Sequence, residues 1–233
     1  MDGRNVFSSK SDVAYAELRQ LILSGSLEAG ARIAQYELAD SLEMSITPIR
    51  EALRRLSAEG LIELDAHRNA RVASMSAAEA RHLHEVRLAL DPTAIELAAD
   101  RRTDQDLASL RAAVDKLLPV TRRWGEEALT AHREFHSLVY RSSHNDVLIR
   151  MLDDLWDKSD RYRRLGIELP PDDETRERDW SEHHRMFELI AERKGDEAAA
   201  LMRQHIVNSV TASAIDALET LADVPPARSR AKR

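Results

Sequence analysis

The chain has 233 residues, no cysteine and a formal net charge of −7 at pH 7. The lack of cysteine excludes disulfides and thiolate metal sites and fits a reducing cytoplasm, so His, Asp and Glu are the side chains left to bind a metal. The acidic balance argues against indiscriminate coating of nucleic acid, although a local basic face can still bind a specific DNA site. No apolar run approaches the ~20 residues that a bilayer crossing needs, and the N-terminus lacks the apolar core of a signal peptide, so we expect a cytoplasmic protein.

The composition favours a mainly helical fold, because aromatic residues make up only 4 % of the chain and Ala, Leu, Arg and Glu are abundant. We expect residues 1–10 to be disordered. Ser11 and Asp12 then begin a first helix, which Gly25 ends. Its apolar face consists of Ala14, Leu18, Leu21 and Ile22.

Two amphipathic segments follow, joined by a turn at residues 43–45. The first covers residues 37–42, and the second begins near Thr47, with a hydroxyl cap and Pro48 in its first turn. Apolar residues recur at i, i+3, i+4 and i+7 in the second segment, at Ile49, Ala52, Leu53 and Leu56. Hydroxyls and guanidinium groups lie largely off that stripe, at Ser45, Thr47, Arg50, Arg54 and Arg55. This pattern predicts a helix-turn-helix whose second helix enters a DNA major groove by its N-terminal end. The alternative is a pair of ordinary packed helices whose arginines face water.

A small hairpin is predicted directly after this helix pair. Residues 61–64 alternate weakly between apolar and polar side chains, residues 65–69 are turn-like, and a second short strand follows at residues 71–73. A hairpin attached to a helix-turn-helix is a winged helix, and we assign it to residues 11–74.

These residues resemble the winged-helix domain of GntR-family transcriptional regulators. The resemblance covers residues 18–73 and is densest at Glu-Leu-Ala (37–39), Thr-Pro-Ile-Arg-Glu-Ala-Leu-Arg-Arg-Leu (47–56), Glu-Gly-Leu-Ile (59–62) and Arg-Asn-Ala-Arg-Val (68–72). It implies DNA contacts from an arginine after the Gly-containing turn, from the start of the recognition helix and from the wing tip. Carried over by position, these residues are Arg32, Ser45, Thr47, Arg50 and Arg68.

Two positions depart from the family pattern. Ile46 stands where the family usually has arginine, and an apolar side chain cannot make the bidentate guanine contact of an arginine, although it can touch a thymine methyl. Asn69 stands where the wing tip usually has glycine, and Asn tolerates positive φ better than most residues. We therefore expect a wing of the usual kind and an operator different from the family's usual one.

The remainder of the chain reads as helices only. Ser76 caps the next helix with Glu79 three residues on, so we place a second, all-helical domain at residues 75–222. The predicted helices cover residues 76–102, 104–118, 126–143, 145–165, 175–194 and 196–221. Residues 223–233 form a basic tail that we expect to be disordered.

Four histidines in this helical region have related positions. His132 and His136 are at i and i+4 and so share one helix face. His183 and His205 lie at comparable distances on either side of Gly195, which places them level with each other if their helices run antiparallel. Metal sites of helical bundles are built in this way, from facing helices. Any one of these histidines alone is better explained as a surface or hydrogen-bonded core residue.

Residues 76–221 resemble the effector-binding domain of the FadR branch of the GntR family, called FCD. The matching residues include Glu85-Val86-Arg87 with Asp91, Phe135-His136, Glu182-His183 and Met202 to His205. The resemblance implies a bundle of six or seven helices in which an Asp and three His bind a divalent metal, and a small carboxylate effector completes the coordination.

Under this resemblance, His136, His183 and His205 match the three histidines, and His132 stands where the family usually has Asp. The loss of that negative charge favours zinc, nickel or copper over magnesium or calcium. Arg87 is expected near the pocket, where its guanidinium would clamp a carboxylate effector. The alternative for Arg87 is an ion pair with Asp91 on the same helix.

We therefore predict a homodimeric, metabolite-responsive transcriptional regulator, a repressor, with zinc or nickel in its helical domain and a pseudo-palindromic operator as its DNA partner. A metal-dependent enzyme and a metal-free helical adaptor are the competing classes. The enzyme is disfavoured because Glu134 falls on the far side of the helix from His132, unlike the general base of a His-Glu-x-x-His motif. The linker at residues 74–78 is the predicted route between effector and DNA.

Overall fold

A computed structural model describes residues 9–65, 69–121, 123–168 and 173–222. The chain divides into two compact units, Met1–Met75 and Ser76–Arg233. Each unit has its own hydrophobic core. We keep residues 11–74 and 75–222 as the proposed domain limits.

The N-terminal unit contains three helices and a three-stranded sheet. The elements are α1 (Lys10–Leu23), β1 (Arg32–Ile33), α2 (Gln35–Ser41), α3 (Ile46–Ala58), β2 (Ile62–Leu64) and β3 (Ala70–Val72). The strand order is β1-β3-β2 with antiparallel pairing throughout, and Arg32 lies opposite Arg71 in the register. This is a winged helix, as the sequence predicts, with an additional strand β1 that the sequence analysis does not predict.

The helices of this unit begin where local capping allows. The Ser9 side chain accepts a hydrogen bond from the Asp12 amide, and the Ser9 amide donates one to the Asp12 carboxylate. The helix α1 therefore begins at Lys10, within the segment expected to be disordered. Gly60 has a φ of 76° and turns the chain from α3 into β2. The predicted stripe on α3 is confirmed, since Ile49, Ala52, Leu53 and Leu56 are all buried.

The described residues of the C-terminal unit form helices joined by turns and loops, with no strand among them. Its helices are α4 (Ala77–Arg101), α5 (Asp104–Val114), α6 (Gly125–Ser142), α7 (Asp146–Glu168), α8 (Asp173–Ala191), α9 (Gly195–Val207) and α10 (Val210–Ala222). One prediction is wrong: the helix expected at residues 196–221 is two helices. It is interrupted at Asn208 and Ser209, residue types that favour caps and turns over helix interiors.

The long helix α4 lies at the centre of the bundle and packs against α6, α7, α8, α9 and α10. Gly195 begins α9 close to α4, where an added Cβ would lie 3.3 Å from the Glu96 carbonyl oxygen. The core between these helices includes Ile95, Phe135, Tyr140, Trp156 and Met186. It fixes α6, α7, α8 and α9 around one buried region. Within the described part of the chain, no helix has an apolar stretch of the length that a membrane crossing needs.

Leu53→Ala should destabilise the N-terminal unit by about 2–5 kcal/mol, because Leu53 is 1 % exposed and its truncation leaves a cavity in the core. Hydrogen–deuterium exchange of the α3 amides in the full chain would measure the loss as faster exchange. Leu64→Ala is the control, since Leu64 is 40 % exposed and its truncation should cost less than about 0.5 kcal/mol. Equal exchange in the two variants would contradict the packing described for α3.

Candidate functional site

The start of α3 borders a groove on the surface of the N-terminal unit. Arg32, Tyr36, Arg50 and Asn69 line it, together with Ile33, Ala34, Gln35 and Glu37. Arg50 also lines the adjoining groove, which extends to Arg54 and Asp65. The structure therefore brings predicted DNA-contact residues from β1 and α3 to one face, next to the base of the wing.

The wing base is held by side-chain hydrogen bonds. Asn69 donates from its backbone amide and its side-chain amide to the Asp65 carboxylate, at 2.8 and 2.7 Å, and Arg32 Nη2 donates to Asn69 Oδ1 at 3.1 Å. Asn69 thus connects β1 to the wing through its side chain, which a glycine could not do. Arg68, the predicted contact at the wing tip, lies outside the described residues.

The first turn of α3 offers its hydroxyls to solvent. Ser45 and Thr47 are exposed, and the Ser45 side chain makes no capping hydrogen bond, although Ser45 occupies the N-cap position. Ile46 is half-buried and packs against the core of the unit, which gives this departure from the family a packing role. Arg50 is half-buried, and its Nε is buried without a hydrogen-bond partner among the described residues.

The four predicted histidines converge in the C-terminal unit. His132 and His136 come from α6, His183 from α8 and His205 from α9, and all four are buried. One nitrogen from each ring lies within 4.8 Å of the others, and the Nε2 atoms of His136 and His183 are 3.0 Å apart. The packing of α8 against α9 across the Gly195 turn sets His183 and His205 level, with ring centroids 4.5 Å apart.

Two of these rings have their tautomer set by an outer partner. His183 Nδ1 is 2.5 Å from the Asp179 carbonyl oxygen, and His205 Nδ1 is 2.9 Å from Glu182 Oε2. A neutral ring that donates from Nδ1 keeps its lone pair on Nε2. Such donation to a carbonyl or carboxylate is the usual support of metal-bound imidazoles, because it fixes ring orientation and raises ligand basicity.

Burial favours the neutral form of His132, His136 and His183. Desolvation, followed by the nearby Arg163 for His132 and by His183 for His136, holds the pKa of both α6 histidines well below the ordinary value. Desolvation and the neighbouring His205 lower the pKa of His183 to about 3. Neutral rings are the protonation state that binds a metal, so no proton has to leave these three histidines at neutral pH.

The donor set fits a borderline transition metal. It consists of four imidazoles, each with one nitrogen within 4.8 Å of the others. The Nδ1 atoms of His132 and His136 are buried without hydrogen-bond partners among the described residues. Asp179 and Glu182 with His205 form an adjoining group of possible ligands. Imidazole suits zinc, copper, iron and nickel, whereas magnesium and calcium prefer oxygen.

Arg87 is close to this cluster but already has a partner. Its Nε and Nη2 donate to Asp91 Oδ2 at 3.2 and 2.6 Å, and both residues are buried. Burial alone would lower the pKa of Arg87, but the adjacent carboxylate raises it above the ordinary value. The contacts match the alternative considered for Arg87, an ion pair on one helix, and its role toward an effector stays a prediction.

Sequence reasoning missed several residues around the cluster. Trp156 on α7 has its ring 5.0 Å from that of His136, and Arg163 on the same helix is 2 % exposed. Asp179 and Glu182 support His183 and His205. Arg163 stands in the run Arg161-Tyr162-Arg163-Arg164, which resembles a solvated helix face. Asp179 could have been found from the sequence, because it lies four residues before His183 and so on the same helix face.

The fold defines a winged-helix DNA-binding protein with a second, helical domain. Residues 10–72 match the bacterial regulatory proteins of the gntR family, and residues 82–208 match the FCD domain. The Nta operon transcriptional regulator of Aminobacter aminovorans is 33 % identical over 80 % of this chain and 86 % of its own length. The uncharacterized HTH-type transcriptional regulator YdhC of Bacillus subtilis is 29 % identical over 83 % of this chain and 84 % of its own.

Among solved structures, E. coli McbR/YncC has the same fold, with a TM-score of 0.74 and 24 % identity over 92 % of this chain and 99 % of that one. The chain belongs to the GntR family of bacterial transcriptional regulators and carries an FCD domain. It is therefore a DNA-binding regulator and not an enzyme, as the sequence predicts.

His183→Ala should weaken the binding of zinc by at least about 100-fold, because loss of a direct ligand costs no less than loss of an outer partner. Competition with a chromophoric chelator would measure the affinity. His184→Ala is the matched control, since the neighbouring ring turns away and hydrogen-bonds through Nδ1 to the Trp180 carbonyl. Equal zinc affinity in the two variants would show that the cluster is not the metal site.

Proposed function

We propose that this chain is a cytoplasmic, homodimeric repressor of the FadR branch, and that a small carboxylate bound at a zinc or nickel ion in the C-terminal domain controls its binding to a pseudo-palindromic operator. The observation that carries the sensing half is the convergence of four buried imidazoles from three helices. The family membership carries the DNA-binding half.

The proposed DNA surface is the groove beside α3. Arg32 and Arg50 line it, Ser45 and Thr47 are exposed at the start of α3, and all four are proposed to contact DNA. Arg68 is proposed as the wing contact. Exposed hydroxyls and arginines at the N-terminal end of a recognition helix are the groups that contact phosphates and base edges in the major groove. A homodimer would place two such helices on successive half-sites, which is why we propose a pseudo-palindrome.

The proposed metal ligands are His132, His136, His183 and His205. A site without carboxylate ligands favours zinc or nickel, and an ion that takes more than four ligands would keep a Lewis-acidic position for an effector carboxylate. The protein residues hold the rings in place: Asp179 and Glu182 orient two of them from outside. Arg87 borders the same region and is proposed to contribute positive charge to effector binding.

The linker is the proposed route from this site to the DNA-binding domain. Tyr162 on α7 donates from its hydroxyl to Glu79 Oε2 at 2.5 Å and accepts from the Ser76 amide at 3.3 Å. Ser76 lies within the linker of residues 74–78 and caps α4. A ligand that shifts α7 would therefore also act on Ser76 and the linker. It would change DNA binding only if it binds the DNA-competent and the DNA-incompetent arrangements with different affinity.

Arg50→Ala is expected to weaken binding to a duplex containing the promoter nearest the protein's own gene by about 1–3 kcal/mol, with metal-loaded and metal-stripped protein alike. Fluorescence anisotropy would measure the affinity. Arg55→Ala is the control on the same helix, because Arg55 is committed to Asp12 at 2.7 Å and to the Tyr15 ring. If the two variants lose affinity equally, or neither does, the proposed DNA surface is wrong.

A carboxylate that raises the Tm of the zinc-loaded protein should weaken operator binding by about 5–150-fold, the usual range of coupling between two sites. The same carboxylate should have no effect on protein stripped with a chelator, because the metal is part of its site. Titrating operator with and without carboxylate, before and after zinc is restored, tests both statements. An effect that persists without metal would separate sensing from the histidine cluster.

A further inference from the structure

Two arginines flank the indole of Trp156 next to the histidine cluster. The guanidinium carbon of Arg87 on α4 is 4.6 Å from the Trp156 ring centroid, and that of Arg163 on α7 is 4.7 Å away. The same indole lies 5.0 Å from the His136 ring and 5.7 Å from the His132 ring. Both cations therefore lie beside the proposed metal site, and their hydrogen bonds show which of them is available to a ligand.

Arg87 is locked in a buried network. Its two donors share one oxygen of Asp91, and Tyr140 donates to that same oxygen at 3.0 Å. The Tyr140 hydroxyl in turn accepts from Trp156 Nε1 at 2.5 Å. Release of Arg87 to a ligand would leave a buried carboxylate without its cation, which is strongly unfavourable.

Arg163 has one buried donor nitrogen that is not used in a hydrogen bond with the described residues. Its Nη1 donates to Asp160 Oδ1 at 3.0 Å, while its Nη2 is buried and has no hydrogen-bond partner among the described residues. Asp160 does not depend on Arg163, because Arg133 Nη1 donates to its other oxygen at 2.7 Å. A cationic donor without a partner in a dry site is costly and points to a bound anion.

Other unpartnered atoms lie in the same region. Of nine such buried side-chain atoms in the described parts of the chain, five belong to residues of this region: Asp91 Oδ1, His132 Nδ1, His136 Nδ1, Ser159 Oγ and Arg163 Nη2. Ser159 lies one turn before Arg163 on α7, on the helix face that also carries Trp156. This cluster of buried polar atoms without partners among the described residues indicates a site for a polar ligand.

We infer that Arg163, and not Arg87, is the residue that binds the carboxylate of the effector, and that Arg87 serves to hold Asp91, Tyr140 and Trp156 in place. This inference rests on the proposed function, because it assigns a partner to the effector of the same site. The ligand class is a small organic acid anion, since a carboxylate oxygen accepts hydrogen bonds from a guanidinium and also binds a borderline metal ion.

The test uses the full zinc-loaded chain and four probes at equal concentration: acetate, succinate, citrate and inorganic phosphate. Isothermal titration with the tightest carboxylate should give a Kd at least about tenfold weaker for Arg163→Gln than for the wild type, the usual loss for one charged hydrogen bond. Arg163→Lys should recover part of the affinity. Arg87→Lys is the comparison variant: it keeps the positive charge that Arg87 is proposed to contribute beside Asp91, so it should lose less affinity for the carboxylate than Arg163→Gln.

Each outcome decides a different point. Loss of binding in Arg87→Lys with retention in Arg163→Gln would overturn the assignment and leave the proposed function intact. Binding of phosphate alone would overturn the carboxylate class. If no probe binds the wild type, the effector half of the proposed function fails together with this inference. Measurements of zinc content and of thermal unfolding without zinc test whether each variant keeps its fold. We expect Arg163→Gln to keep it, because Asp160 retains its hydrogen bond from Arg133.

Discussion

The contact between the Nε2 atoms of His136 and His183, 3.0 Å apart, is the constraint on which the helical domain depends. Because His183 Nδ1 faces the Asp179 carbonyl, the lone pair of His183 is directed at His136. Either His136 donates a proton into this contact or both rings share a cation. Nitrogens of His132 and His205 lie within 4.8 Å of the same contact, so a cation could bind more of these nitrogens at once than a single proton could.

The parts of the fold that depend on local sequence could be predicted. The α3 stripe follows from the helical period, and the level positions of His183 and His205 follow from their spacing around Gly195. The strand β1 could not be predicted, because a two-residue strand exists only through its pairing with β3. The break at Asn208 and Ser209 was missed because periodicity continues on both sides and only the propensity of two residues opposes it.

Within the site, the proposed metal ligands can be recognised from the sequence, but most of the residues that support them cannot. Histidine pairs have a recognisable spacing, whereas Asp179, Glu182 and Trp156 acquire their roles from contacts between helices. Arg163 is the clearest case, because three neighbouring positions also carry Arg or Tyr and the run looks solvated. Burial, together with a donor left without a partner, distinguishes Arg163, and both are properties of the packed bundle.

The helix α7 connects the two halves of the proposed switch through adjacent residues. Arg163 is near the histidine cluster, while Tyr162, about 100° around the helix, hydrogen-bonds Glu79 and Ser76. A helix is rigid over one residue, so any rotation or shift that improves the hydrogen bonding of Arg163 also moves the Tyr162 hydroxyl. Under the proposed function, the Tyr162 contacts to Glu79 and Ser76 would transmit part of the free energy of ligand binding to the start of α4, and with it to the linker.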